Sequence, residues 1–483
     1  MINYKIVFRV LGLLLIIESI FLFLSTIVSL IYQESSYNAL LIPALITMVI
    51  GLTTWFFTAK WPKDMGKKEG YLIVSLVWVV FSVFGAIPFM LSGSTLTFTD
   101  AFFETMSGFT TTGASILNDI ESLPKGILFW RSVIQWIGGM GMIVMSLAIL
   151  PMLGIAGMEL FVAEVPGPTA DKLHPRVKQT AKRLWGIYVL FTLIETILLW
   201  IGDMDFFDAI NHAFTTMATG GYSTKQASVA YYDSAYIQYV ITIFMLIAGV
   251  NFSLSYFALK RKFSKVFTNE EFRYYIGFIV VFTLSLAAII ALQNTNQSFE
   301  KSFRDSAFQV VSIITTTGYV TADYLSWGAL AAMLVFAMMF FGGSAGSTGG
   351  GIKIVRIVLL FKNSFQEFKR LLHPNAIIPV RLNHKAVHPK IVTNVLAFIV
   401  FYIITFVAGS IIMAGLGLDF DSAMGSVIAS LGNIGPGIGS VGPMDNFAHI
   451  PNLGKWFLSF LMLLGRLELF TVMIIFSPVF WKK

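Results

Sequence analysis

Ten stretches of this chain are apolar for long enough to cross a bilayer, and this restricts the fold more than any other feature. They run near 6–32, 38–59, 71–92, 127–152, 183–202, 235–259, 274–292, 328–361, 391–416 and 454–480. A spanning helix needs roughly 20 mainly apolar residues. Composition agrees: 12% of residues are charged, where a soluble domain carries about 25%. The chain reads as an all-α membrane protein with ten transmembrane helices. The first run is too long for the apolar core of a cleavable signal peptide. With no cysteine in the sequence, disulfides, thiolate metal sites and cysteine nucleophiles are excluded together.

Four shorter, half-apolar stretches lie between the long runs, at 99–112, 205–219, 303–317 and 420–434. They cannot span, and they read as re-entrant segments or buried helices. If each enters and leaves from one side, the basic loops all fall on the other. These are 60–70 (Lys60, Lys63, Lys67, Lys68), 155–183 (Lys172, Arg176, Lys178, Lys182, Arg183), 259–273 (Lys260, Arg261, Lys262, Lys265, Arg273) and 361–390 (Lys362, Lys369, Arg370, Arg381, Lys385, Lys390). Both termini join them. An excess of Lys and Arg marks the cytoplasmic side, so the net charge of +7 reflects orientation rather than nucleic-acid binding. The opposite face carries acids, among them Asp119, Asp205, Asp233 and Asp323. They fit ordinary sidedness, and an acidic mouth would also gather cations.

The short stretches end alike. The first closes on Thr110-Thr111-Thr112-Gly113, the second on Ala218-Thr219-Gly220-Gly221, the third on Thr315-Thr316-Thr317-Gly318, and a divergent fourth on Gly432-Asn433-Ile434-Gly435. Taking Gly113, Gly220, Gly318 and Gly435 as equivalent, each follows an acid at a similar distance: Asp100, Asp208, Asp305 and Asp421. This describes four pseudo-repeats of helix, pore helix, filter and helix around one pore, with two extra N-terminal helices. The boundaries fall at 1–70 for the extra helices, then 71–154, 155–262, 263–372 and 373–483. Non-helical backbone at membrane depth is tolerated only inside protein or lining a watery cavity. Glycine permits the angles that turn carbonyls toward an axis, and such carbonyls can replace a cation's hydration shell. Short helices aiming their C-terminal ends at the axis favour a cation further. The candidate cation ligands are Thr111, Thr112, Gly113, Thr219, Gly220, Gly221, Thr316, Thr317, Gly318, Asn433, Ile434 and Gly435.

The third repeat's inner helix is broken by Gly342-Gly343-Ser344-Ala345-Gly346-Ser347-Thr348-Gly349-Gly350-Gly351. Each interior glycine costs a helix about 1 kcal/mol, so this stretch reads as a mobile gate below the filter. Lys353 and Arg356 follow it, at the gate or as interfacial anchors. Arg466 lies well inside the last apolar run, where a charge defaults to function. Facing the pore, it would oppose a permeating cation. Glu468, two residues on, points elsewhere and needs another partner. Glu18 and Glu195 are intramembrane acids read as structural. The Gly437–Gly442 match to a dinucleotide fingerprint lacks its βαβ setting. The six histidines show no metal-ligand spacing. No catalytic pairing is visible, so the chain is not read as an enzyme and needs no cofactor beyond the ion itself.

These residues resemble the Trk/Ktr/HKT superfamily of potassium transporters over the whole chain. Besides the four segments, the Gly-rich break and Gly465-Arg466-Leu467-Glu468, the resemblance rests on Gln135-Trp136-Ile137-Gly138-Gly139-Met140-Gly141, Glu164-Val165-Pro166-Gly167-Pro168-Thr169, and Asp171-Lys172-Leu173 with Pro175-Arg176. The two extra N-terminal spans are similar to those of the TrkH branch. The resemblance implies potassium uptake at the cell inner (cytoplasmic) membrane and a homodimer with one pore per chain. It also implies an intramembrane gating loop opposed by Arg466, and a cytosolic nucleotide-binding regulatory subunit (TrkA-like) on the basic loops. Those loops could instead meet anionic membrane lipid. In this family a serine at the first filter glycine goes with sodium, so Gly113 implies potassium. The fourth segment departs from Thr-Thr-Gly, which weakens strict fourfold coordination. Two other readings remain at this point: a secondary transporter coupling potassium to sodium or protons, and a docking protein with vestigial transport.

Overall fold

The computed structural model describes residues 2–58, 66–141, 177–293 and 298–482. The end of the apolar run at 127–152, Lys60, Lys63, Lys172, Arg176 and the motifs Glu164–Thr169, Asp171–Leu173 and Pro175–Arg176 lie outside them. The described residues are mainly helical. Among the described residues six helices are long and apolar enough to cross a membrane: Tyr4–Ile31, Ser35–Thr58, Lys68–Leu91, Lys182–Ile201, Glu270–Gln293 and Pro389–Gly415.

Two more apolar runs are bent. Ala235–Ala248 meets Phe252–Leu259 at 109°, and Asn452–Arg466 meets Phe470–Phe476 at 119°. The first bend has a local cause. Asn251 caps the second piece by accepting the Ser253 N–H at 2.8 Å, so a new helix starts there instead of the old one continuing. At the second bend Glu468 takes a positive φ of 57°, which ends the helix above it.

The third inner run is split as the glycines require, into Gly328–Met338 and Ile354–Leu372. Its second piece differs from expectation. The loop expected at 361–390 begins as helix, because Gln366, Glu367, Lys369 and Arg370 are good helix formers and Arg370 bonds Glu367 at 2.8 Å. A two-stranded hairpin, Arg381–Leu382 paired with Lys385–Ala386, follows it. Asn383 and His384 turn it with φ of 48° and 63°, the mirror-image turn that suits a two-residue loop. This hairpin and a single parallel bridge between Phe341 and Ile352 are the departures from an all-α chain among the described residues.

The first two helices cross closely. A Cβ on Gly12 would stand 3.0 Å from the Gly51 oxygen, and one on Gly51 2.9 Å from the Gly12 oxygen. Small residues at a crossing permit such approach within a membrane. The pair is tied to the remaining helices through Glu34, whose carboxylate accepts the backbone N–H groups of Lys125 and Gly126.

The four half-apolar stretches form short helices: Phe98–Phe109, Phe206–Met217, Phe299–Ile314 and Phe420–Leu431. Each starts from a side chain that accepts a helix N–H, on Thr97, Asp205, Ser298 and Asp419 in turn. A cap of this type is worth about 1 kcal/mol. The first helix is buried on every side from Ala101 to Phe109. Such helices lie inside the protein rather than against lipid.

Candidate functional site

Each short helix stops in the same way. In the first, the Thr111 N–H bonds the Gly108 oxygen at 3.0 Å and the Thr112 N–H bonds the Ser107 oxygen at 2.8 Å. The pattern recurs as Thr219 to Thr216 with Gly220 to Thr215, as Thr316 to Ile313 with Thr317 to Ser312, and as Asn433 to Ser430 with Ile434 to Ala429. This is the Schellman stop, whose turning residue sits in the left-handed region and is usually glycine. Here the turning residues are Thr111, Thr219, Thr316 and Asn433, with φ of 52°, 54°, 59° and 53°. Asparagine tolerates that conformation, whereas a β-branched threonine is a true outlier. Three threonines at equivalent places hold this strained conformation.

A glycine with positive φ follows two residues later: Gly113 (83°), Gly221 (76°), Gly318 (81°) and Gly435 (98°). The second segment therefore corrects the alignment made from sequence. Its equivalent glycine is Gly221, and Gly220 instead matches Thr112, Thr317 and Ile434. The pair Gly220-Gly221 offered two choices, and the left-handed turn at Thr219 selects the second.

The four glycines close a ring. A Cβ on Gly113 would stand 2.3 Å from the Gly220 oxygen, and one on Gly221 2.0 Å from the Thr317 oxygen. A Cβ on Gly318 would stand 2.0 Å from the Ile434 oxygen, and one on Gly435 2.9 Å from the Thr112 oxygen. Each segment thus abuts the next, first to second to third to fourth and back to first. The divergent fourth keeps its place in the cycle because its backbone, not its side chains, makes the contact. Asn433 compensates for its own chemistry by donating to Thr112 Oγ1 and to the Met462 oxygen, both at 2.9 Å.

Side chains behind the ring hold neighbouring segments together. Arg131 bonds Glu104 at 2.8 Å, with both side chains buried, and also bonds the Ser223 oxygen at 2.8 Å. Its guanidinium lies 3.6 Å from the centroid of the Tyr222 ring. Tyr222 in turn donates to the Glu104 oxygen at 2.7 Å. Sequence reading missed this cluster, although Arg131 near the start of an apolar run was a signal for it.

A cavity of about 90 Å³ opens beside all four glycines, and its charged lining residues are Arg131, Lys225 and Asp445. Two of the acids preceding the segments, Asp100 and Asp208, are held in other contacts. Asp100 pairs with Lys455 at 2.6 Å. Asp208 accepts from Thr224 at 2.7 Å and Tyr232 at 2.8 Å. Burial works against its charge, but these two hydrogen bonds, with His212 and Lys225 nearby, hold its carboxyl below the usual range.

The Gly-rich stretch lies against the inner side of the ring. The Gly350 N–H donates to Thr316 Oγ1 at 2.6 Å. A Cβ on Gly350 would stand 2.6 Å from the Gly432 oxygen, and one on Gly349 2.9 Å from the Thr315 oxygen. Thr348 donates its hydroxyl to the Met217 oxygen at 3.0 Å. The Ser344 N–H reaches the Gly249 oxygen at 2.9 Å, the Ala345 N–H donates to the Glu271 carboxylate at 2.7 Å, and Asn251 donates to the Ala345 oxygen at 2.6 Å. The stretch therefore touches the ends of the second, third and fourth short helices and the bend at 249–251.

Arg466 fastens it. One nitrogen donates to the Thr348 oxygen at 2.7 Å, and another to the Gly138 and Gly139 oxygens, each at 2.7 Å. Those glycines lie in a π-helical turn, Ile137–Gly141, a distortion that frees carbonyls and recurs at functional sites. Glu468 has the different partner that was expected, Arg356, in a buried ion pair, but Glu468 itself lies beyond the helix end, in the left-handed turn. Lys353 donates to the Gly349 oxygen. Lys353 and Arg356 thus belong to the loop's surroundings and are not interfacial anchors. Glu18 and Glu195 are fully buried.

Several apolar helices surround a closed ring of four backbone segments, and the comparisons with known proteins place this fold in a family of membrane transport proteins. A family model described as TrkH, cation transport protein, matches residues 37–483. The chain is 43% identical to the Trk system potassium uptake protein TrkH of Escherichia coli (strain K12), with 100% of both chains covered. It is 38% identical to the TrkH of Halomonas elongata at the same coverage. The crystal structure of the potassium transporter TrkH from Vibrio parahaemolyticus superposes with a TM-score of 0.90 at 35% identity, covering 100% of each chain. The chain belongs to the TrkH family.

Proposed function

We propose that this chain carries potassium across the cytoplasmic membrane, as the membrane subunit of a Trk-type uptake system. The observation that carries this reading is the closed ring of Gly113, Gly221, Gly318 and Gly435 against the Gly220, Thr317, Ile434 and Thr112 oxygens. Backbone oxygens gathered in this way can exchange for a cation's hydration shell. The relatives support the choice of ion, since those matching the whole chain are called potassium uptake proteins.

In this reading Thr111–Gly113, Thr219–Gly221, Thr316–Gly318 and Asn433–Gly435 form the selectivity filter. Gly342–Gly351 is the gate, held shut by Arg466. The chain has ten spans, counting the bent and broken runs. Two lie in 1–70, and four pore repeats occupy 71–154, 155–262, 263–372 and 373–483. Both termini are cytoplasmic. The active form is a homodimer in contact with membrane lipid, and a nucleotide-binding, TrkA-like subunit works the gate from the cytosol. No bond is made or broken, so the protein is not an enzyme.

Ion flux into liposomes, with and without an imposed sodium or proton gradient, tests this. Potassium flux that reverses at the potassium equilibrium potential alone is the expected result. A reversal that moves with the sodium or proton gradient would make the chain a coupled secondary transporter instead. Intact assembly without flux would make it a docking protein.

A further inference from the structure

The four segments of the ring are not braced alike. In the first, Thr110 and Thr112 join their hydroxyls at 2.8 Å, and in the third Thr315 and Thr317 do the same at 2.8 Å. In the fourth, Ile434 fills the equivalent space and Asn433 supplies the bonds. The second segment has Ala218 and Gly220 at these places, so it has neither a hydroxyl pair nor a side chain behind the ring.

Gln135, from the inner helix of the first repeat, occupies that space. A Cβ on Gly220 would stand 2.4 Å from Gln135 Cδ and Oε1 and 2.8 Å from Nε2. These are the three nearest atoms, so this one side chain takes the volume of the missing one. Gln135 Nε2 donates to the Gly220 oxygen at 2.7 Å, and Oε1 accepts the Tyr222 N–H at 3.0 Å. The two bonds fix the amide orientation, because a flip would set donor against donor. The Gly220 oxygen is also the one that abuts Gly113. A carbonyl oxygen has two lone pairs, so it can accept from Gln135 and still face the ring.

We propose that Gln135 is a positioning residue that sets ion specificity: its amide replaces the side chain absent at Gly220 and aims the Gly220 carbonyl into the potassium-coordinating ring. This rests on the ring being the filter. The geometry also explains why glycine is admitted at a place where the other three segments carry larger residues. Gly220 has no positive φ, so its backbone does not demand glycine. The volume of Gln135 does.

The test is an exchange of volume. Q135A removes the brace, and Q135E keeps the acceptor for Tyr222 while losing the donor to Gly220. Each should lower the potassium-to-sodium flux ratio in proteoliposomes by about tenfold, the scale of one lost buried hydrogen bond. G220T alone should also lower it, because its side chain meets Gln135. The double variant Q135A/G220T, with a threonine in the vacated space, should recover most of the ratio. Independent defects would instead add.

Unchanged selectivity in folded Q135A and Q135E would overturn the proposal, as would a double variant as poor as the summed singles. If Q135A and Q135E do not fold, the double variant decides by whether it restores folding and selectivity together. Wild-type protein without potassium-selective flux would instead overturn the filter reading on which the proposal stands.

Discussion

The ring and the Gly-rich loop are both irregular, glycine-rich backbone deep in the protein, yet they are held in opposite ways. The ring is held by repetition. Four helices stop in the same turn, and each segment abuts the next. The loop is held by single, distant contacts to Thr316, Met217, Gly249, Asn251 and Arg466. A structure that repeats its own constraint resists displacement, because moving one segment strains its two neighbours. One held by a few bonds can be released by breaking them. The same residue types can therefore be fixed in one place and releasable in the other, which is what the proposed filter and gate would each require.

The largest effect should come from adding bulk to the ring. Gly318→Ser puts a Cβ 2.0 Å from the Ile434 oxygen, and Gly113→Ser puts one 2.3 Å from the Gly220 oxygen. Overpacking of this kind costs about 1–3 kcal/mol, so bi-ionic reversal potentials should show potassium preference falling by roughly tenfold to a hundredfold. Retained preference in both would mean that the ring is not the selector. Next comes Arg466→Ala, which removes three charge-assisted bonds of about 1.5–3 kcal/mol each, one to the loop at Thr348 and two that anchor the same guanidinium on Gly138 and Gly139. Basal flux without any regulatory partner should rise at least about tenfold. A variant that folds and stays shut would make the loop structural.

Thr348→Val removes one neutral donor to the Met217 oxygen and should raise basal flux only about fivefold, the worth of about 1 kcal/mol. An effect as large as that of Arg466→Ala would break the ranking. The smallest effect belongs outside the comparison, at the mouth. The folded carboxyl of Asp208 titrates below its ordinary value. Its stabilising contribution is then present above the ordinary carboxylate pKa and lost as pH falls through the depressed one. Asp208→Asn should lower thermal stability by about 1 kcal/mol at neutral pH, with the difference from wild type vanishing in acid. A difference that persists at low pH would assign the effect to packing.

Much of this arrangement was legible in the chain. Apolar length located the long helices, and four half-apolar stretches located the short ones, because those signals depend on local composition. The Gly-rich break followed from glycine's cost. The helical period predicts separate partners for Arg466 and Glu468, and they have them, but because the helix ends at Arg466 and Glu468 turns left-handed. The alignment of the second segment did not follow. Gly220 and Gly221 are the same letter, and only the left-handed turn at Thr219 separates them. Nor could sequence find Gln135 or the contact of Arg131 with Glu104, since these depend on which helix stands behind which segment. The helix extending to Leu372 was hidden because it carries charges that read as loop.

The cyclic order of the ring bears on how the chain is made. Its closing contact joins Gly435 to Thr112, and the Asn433–Thr112 bond that accompanies it spans 321 residues. During synthesis the first three segments can assemble only an open arc. The ring is completed when the last quarter of the chain seats against the first. A truncated or stalled product therefore lacks the closing contact and, on the filter reading proposed above, a finished ion path.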